Sequence, residues 1–89
     1  MLNEPITIQN KFGLHTRAAA KLVAVASKFE SKIEIRHQDH AANCKSIMAL
    51  ITLGVVKGTT LDLIISGADE LEARDAIKEL INTKFGEAD

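Results

Sequence analysis

The sequence is short of cysteine, of net charge and of long apolar runs, and each shortage removes a class of protein. A lone cysteine, Cys44, has no partner for an internal disulfide, which agrees with a reducing compartment. The 11 basic and 12 acidic side chains nearly cancel to a formal net charge of −1, so the chain lacks the one-signed field that attracts nucleic acid or an anionic membrane. No apolar run approaches the roughly 20 residues of a membrane span. The opening Met1-Leu2-Asn3-Glu4-Pro5 is too acidic and too short for a signal peptide. A cytoplasmic protein without membrane insertion is expected. Low-complexity segments, linkers and internal repeats are missing as well. The 89 residues are expected to make one small domain, residues 1–89, with a single core and marginal stability.

The charges that are present are segregated. From Pro5 to Phe29 they are Lys11, Arg17, Lys21 and Lys28, whereas from Asp62 onward Asp69, Glu70, Glu72, Asp75, Glu79, Glu87 and Asp89 face only Arg74, Lys78 and Lys84. The sequence therefore predicts a dipolar molecule whose basic end suits a partner with an acidic surface, an arrangement that acts mainly on association rate.

Hydrophobic periodicity switches repeatedly between 2 and about 3.6 residues. Ile6 and Ile8 alternate with polar neighbours as a half-buried strand, and residues 16 to about 28 read as a helix with Ala19, Leu22, Val23 and Ala26 on one stripe, closed by Phe29. Ile33 and Ile35 mark a second strand. His37-Gln38-Asp39-His40 reads as a hairpin turn into a third strand near residues 41–44. Residues 46 to about 53 suit a short helix ended by Gly54. Leu61, Leu63 and Ile65 give a fourth strand, with Ile64 breaking the alternation. Asp69 with Glu72 resembles a capping box, opening a last helix to about residue 84 through Ala73, Ile77, Leu80 and Ile81. The order β-α-β-β-α-β-α is best satisfied by a split βαβ: a four-stranded antiparallel sheet with three helices on one face, an α+β fold.

Chemistry concentrates at Lys11-Phe12-Gly13-Leu14-His15-Thr16-Arg17-Ala18, where a glycine-punctuated loop becomes an alanine-rich helix. An imidazole there stands beside the unpaired N–H groups of a first helical turn. Those of Thr16, Arg17 and Ala18, with the Arg17 guanidinium, make a cradle for a dianionic phosphoryl group. Neutral imidazole is a nucleophile suited to pH 7, and phosphoryl transfer asks a protein mainly for positioning and charge neutralisation. Gly13 can take a backbone conformation barred to residues with a Cβ and so expose the ring. The reading is a histidine that carries phosphate.

Gly13-Leu14-His15-Thr16-Arg17, then Lys45-Ser46-Ile47-Met48 with Leu53-Gly54, then Gly58 and Gly67-Ala68-Asp69-Glu70, resemble the HPr family, the histidine phosphocarriers of the bacterial phosphoenolpyruvate-dependent phosphotransferase system. The likeness spans nearly the whole chain. It implies an open-faced β-sandwich. It further implies that His15 accepts a phosphoryl group on Nδ1, as a pros-phosphohistidine, from enzyme I and passes it to an enzyme IIA domain in sugar uptake or nitrogen-related regulation. The phosphate comes ultimately from phosphoenolpyruvate, with no cofactor or metal, and the carrier is a monomer rather than an enzyme in itself. Ser46 matches the serine that an ATP-dependent HPr kinase/phosphorylase modifies in many members, and Leu14, Ile47 and Met48 are candidates for an exposed docking rim, with Leu53 in the core. Where the family usually has proline after the arginine, this chain has Ala18. Alanine loosens the unfolded chain and adds a donor near the phosphate, so altered rates are expected.

Two other readings stand beside the carrier. One is a regulatory binding protein of the same fold acting through Ser46, against which the retained His15-Thr16-Arg17 argues. The other is a turnover enzyme with His15 as general base, for which the sequence places no acid or nucleophile beside it. His37 and His40 lack third and fourth metal ligands and read as a solvated hairpin, and Cys44 reads as a small buried or half-buried strand residue.

Overall fold

In a computed structural model that describes residues 1–87, the chain runs β1 (Leu2–Thr7), α1 (Thr16–Ala26), β2 (Lys32–His37), β3 (His40–Asn43), α2 (Ile47–Leu53), β4 (Thr60–Ser66) and α3 (Glu70–Asn82), then a 3-10 turn at Lys84–Gly86. Asp89, counted above among the acidic residues, lies outside the described residues. The sheet order is β1-β4-β2-β3 with every pair antiparallel. β4 therefore lies between β1 and β2, the split βαβ expected from the alternation.

One face of the sheet carries Ile6, Ile33, Ile35, Ala42, Leu61, Leu63 and Ile65, all buried, while Pro5, Thr7, Lys32, Arg36, Asp62 and Ser66 on the other face are exposed. An antiparallel sheet can leave one face in water, and here the helices cover the buried face alone. α1 buries Ala18, Ala19, Leu22 and Ala26, small residues that bring its backbone close to its neighbours. α2 buries Leu50, with Ser46 Oγ accepting from the Ala49 N–H at 3.3 Å as N-cap and Gly54 left-handed at the C-cap. α3 buries Ala73, Ile77 and Ile81. Leu53 is half-buried against the core rather than inside it.

Several boundaries differ from the sequence reading for identifiable reasons. α1 stops at Ala26, and the N–H groups of Ser27, Lys28 and Phe29 turn back onto the carbonyls of Val23, Val25 and Ala26. β3 starts at His40 because His37 and His40 pair directly across a turn in which Gln38 has φ 58°. Asp69 and Glu72 form no capping box. The Asp69 carboxylate accepts instead from the N–H groups of Glu30 and Ser31 and from the Ser31 hydroxyl, three donors that outweigh one helical N–H. Glu70 takes the reciprocal role, accepting from the Gly67 N–H. α3 ends at Asn82, and Lys84 and Phe85 then adopt left-handed φ values of 57° and 56°. That reversal drives the Phe85 ring into the core, 1% exposed, and sends the chain back across the start of α1.

Candidate functional site

His15 is the N-cap of α1, extended at φ −73° and ψ 177°, and its side chain makes no capping bond. The first helical hydrogen bond runs from the Ala19 N–H to the His15 carbonyl at 2.8 Å. The N–H groups of Thr16, Arg17 and Ala18 have no partner among the described residues. Unpaired donors of this kind are what the first turn of any helix presents. Arg17 is exposed, has no ion pair among the described residues, and lines one open recess with Lys11, Phe12, His15 and Glu87. Phe12 is 66% exposed and sets its ring edge-on to the imidazole, centroids 5.8 Å apart, with the Lys11 ammonium 5.6 Å from the Phe12 centroid.

The loop before His15 is held by its backbone. Gly13 has φ 64°, and a Cβ there would stand 2.8 Å from Val56 Cα and closer still to the Val55 carbonyl oxygen. The Leu14 N–H donates to that oxygen at 3.1 Å, so the loop rests on the segment following α2. Leu14 is accordingly buried, 4% exposed. It belongs to the core and not to a docking rim, because the close approach at Gly13 turns its side chain inward. Ile47 and Met48 at the start of α2 are exposed as expected, and Phe12 and Val56 are exposed as well. Met48 borders a groove with His40, Ala41, Thr52 and Leu53, apart from the recess at His15.

The largest departure from the sequence reading is Glu87. Its Oε2 lies 2.7 Å from His15 Nε2, and its Oε1 accepts from Asn10 Nδ2 at 3.2 Å. The hydrogen bond from His15, then that from Asn10, holds this carboxyl below its ordinary range against the opposing effect of desolvation. It is therefore a carboxylate at neutral pH, an acceptor only, and Nε2 carries the hydrogen. Nδ1 has no hydrogen-bond partner among the described residues. Asn10 is fully buried and also donates to the Gly13 carbonyl at 2.7 Å, tying carboxylate to loop. An acidic residue of the C-terminal third thus sits at the basic end, which breaks the simple dipole. Arg74 and Lys78 spend their charge on Glu4 instead. The one sequence signal for Glu87 was Phe85-Gly86 before it, a lone aromatic and a glycine in a polar tail.

Ser46 is half-buried and serves as the α2 cap. Cys44 is fully buried, and burial pushes its thiol up to about 12, so it is an inert core residue at neutral pH. Among the described residues no group of three or more His, Cys, Asp or Glu could hold a metal ion, and no helix is long and apolar enough to cross a membrane.

Residues 2–83 match the family model of the PTS HPr component phosphorylation site. The chain belongs to the HPr family. It is 46% identical to phosphocarrier protein HPr of Neisseria meningitidis over 89 residues, covering all of both chains. It is 41% identical to phosphocarrier protein NPr of Shewanella violacea over 87 residues, 98% of this chain and 96% of that one. The crystal structure of HPr-C-His from Thermoanaerobacter tengcongensis superposes with a TM-score of 0.93 at 46% identity, covering 98% of each chain. HPr proteins are phosphocarriers of the phosphotransferase system rather than catalysts in themselves, and their open sheet with helices on one face is the fold described above.

Proposed function

We propose that this chain accepts a phosphoryl group from phosphorylated enzyme I on Nδ1 of His15 and delivers it to an enzyme IIA domain, in sugar uptake or nitrogen-related regulation. The observation that carries the reading is the division of labour on one imidazole: Nε2 is held by Glu87, while Nδ1 has no partner among the described residues, on the N-cap of a helix whose Thr16, Arg17 and Ala18 N–H groups are likewise unpaired among them. In the transfer the Nδ1 lone pair attacks phosphorus as the donor's bond breaks. The peripheral oxygens meet the helix N-terminus and the Arg17 guanidinium, the charge neutralisation such a transfer needs. Ala18, in place of proline, brings one more N–H to that cradle. The protein acts as a cytoplasmic monomer without cofactor, the phosphate deriving from phosphoenolpyruvate. Ile47 and Met48, with Phe12 added and Leu14 withdrawn, supply apolar docking contacts. Ser46 is the residue on which an HPr kinase/phosphorylase would act, where a phosphate is compatible with a helix start.

The test is to incubate the protein with enzyme I and phosphoenolpyruvate and follow its mass. Wild type gains one acid-labile, base-stable phosphoryl group, and His15→Ala gains none while keeping its fold by circular dichroism. Undiminished acid-labile labelling of His15→Ala overturns the assignment.

A further inference from the structure

The contact between Glu87 and His15 joins the C-terminal end of the described chain to a ring at the other end of the sequence, and four features build it. Phe85, two residues before Glu87, is buried in the core. Lys21 Nζ donates to the Phe85 carbonyl at 2.6 Å, which fixes the turn against α1. The Glu87 N–H closes onto the Lys84 carbonyl at 2.9 Å. Asn10, itself fully buried, holds the second carboxylate oxygen. With Phe12 against the ring, the imidazole is oriented from two sides.

We propose that Glu87 is a positioning residue that keeps the ring hydrogen on Nε2 of His15 through the whole transfer cycle, so that the phosphoryl group arrives and leaves at Nδ1 without a proton moving. The proposal rests on the carrier reading above. On loading, the Nδ1 lone pair forms the N–P bond, and the donor keeps the electron pair of the bond that breaks. The ring then carries a positive charge, with its Nε2 hydrogen facing a carboxylate. On delivery the N–P bond breaks, the pair returns to Nδ1, and the ring is again neutral with the same hydrogen in place. The leaving group is imidazole and never imidazolate. A carboxylate acceptor makes a hydrogen bond roughly twice as strong as a neutral one, and its effect is larger on the charged, loaded ring than on the free one. The other charged groups around the pair are Lys11 and Arg17 in the same recess and Lys21, whose field reaches Glu87. These cations favour the dianionic phosphoryl group, while Glu87 faces the nitrogen turned away from it.

Glu87→Gln keeps the shape and removes the charge, and an amide can donate to Nε2 as readily as accept from it. Three readouts follow, with melting temperature as control. In wild type the His15 Nε2–H gives a one-bond 1H–15N signal shielded from exchange with water, and in Glu87→Gln it is lost. The loading equilibrium with enzyme I shifts about tenfold toward the unloaded carrier, the scale of one charge-assisted bond. The pH midpoint of phosphohistidine hydrolysis falls by about one unit, the same tenfold factor on a logarithmic scale, because the ring-protonated form is the labile one. A purely structural role for Glu87 leaves that midpoint where it is. A wild-type spectrum with the hydrogen on Nδ1, or a Glu87→Gln variant with unchanged equilibrium and unchanged hydrolysis profile, overturns the proposal. The nitrogen spectrum needs no phosphoryl donor, so its outcome is distinct from the labelling of His15 that decides the carrier reading.

Discussion

Replacing Gly13 by alanine separates two costs that are usually confounded, because Gly58 supplies a matched control. Both residues have positive φ, 64° at Gly13 and 89° at Gly58, and a side chain in that region costs roughly 1–2 kcal/mol. Alanine also narrows the unfolded ensemble, returning about 0.4–1 kcal/mol. At Gly58 nothing lies within 4 Å of the added Cβ, so Gly58→Ala should destabilise by about 1 kcal/mol or less. At Gly13 the new atom meets the backbone of Val55 and Val56, with Val56 Cα at 2.8 Å, and backbone cannot yield by changing rotamer. The loop must lift, losing the Leu14 N–H to Val55 hydrogen bond, worth about 1 kcal/mol, and adding overpacking strain of about 1–3 kcal/mol. Gly13→Ala should therefore cost about 2–6 kcal/mol, and for a chain of this size lower the melting temperature by on the order of 10–40 °C. Urea midpoints at equal slope measure the difference. Two variants within about 0.5 kcal/mol of one another, inside the usual scatter of surface changes, would refute the claim that the His15 loop is seated on the segment after α2. Phosphorylation by enzyme I should fall in Gly13→Ala well below its level in Gly58→Ala when both are assayed folded.

Arg17→Gln should slow phosphoryl transfer on the order of 100-fold, as loss of one preorganised donor does, with a melting temperature near wild type because the side chain is exposed and unpaired among the described residues; equal transfer rates would remove Arg17 from the mechanism. Ser46→Asp should raise the apparent Michaelis constant toward enzyme I and recover in part at high salt, while melting is unchanged because aspartate also caps a helix; wild-type kinetics at low salt would leave Ser46 as a cap alone. The Ser31 hydroxyl, followed by the N–H groups of Glu30 and Ser31, holds the Asp69 carboxyl below its ordinary range. A depressed folded value contributes stability above the unfolded value near 3.9 and loses it as pH falls through the folded one. Asp69→Asn should then weaken the protein at pH 7 and narrow its gap to wild type below about pH 4; a gap that stays constant from pH 7 to pH 3 would count against the contact.

The parts legible from sequence were those carried by local pattern. Alternation at Ile33 and Ile35 and at Leu61, Leu63 and Ile65 located the strands, and the unpaired N–H groups beside His15 followed from helix-start chemistry alone. Positions decided by distant contacts were not legible. Leu14 is adjacent to a half-buried histidine at a helix start, yet an approach between Gly13 and Val55 buries it. Asp69 stands where a cap belongs, but three donors from residues 30–31 claim it. Glu87 is separated from His15 by nearly the whole chain, and only the reversal at Lys84 and Phe85 brings the two together.

The insertion of β4 between β1 and β2 also sets an order of assembly. The β2–β3 pair closes across a two-residue turn, but Leu2 must wait for Ile65, and pairings so distant in sequence are slow to form because loop closure precedes any reward. At synthesis rates of about 5–20 residues per second, β1 and the start of α1 exist for several seconds before β4, the strand that pairs with β1. A nascent chain therefore presents His15 and Arg17 long before it has a sheet to hold them rigid, and Glu87 follows later still. The His15 imidazole is among the first parts of this protein to be made and among the last to be finished.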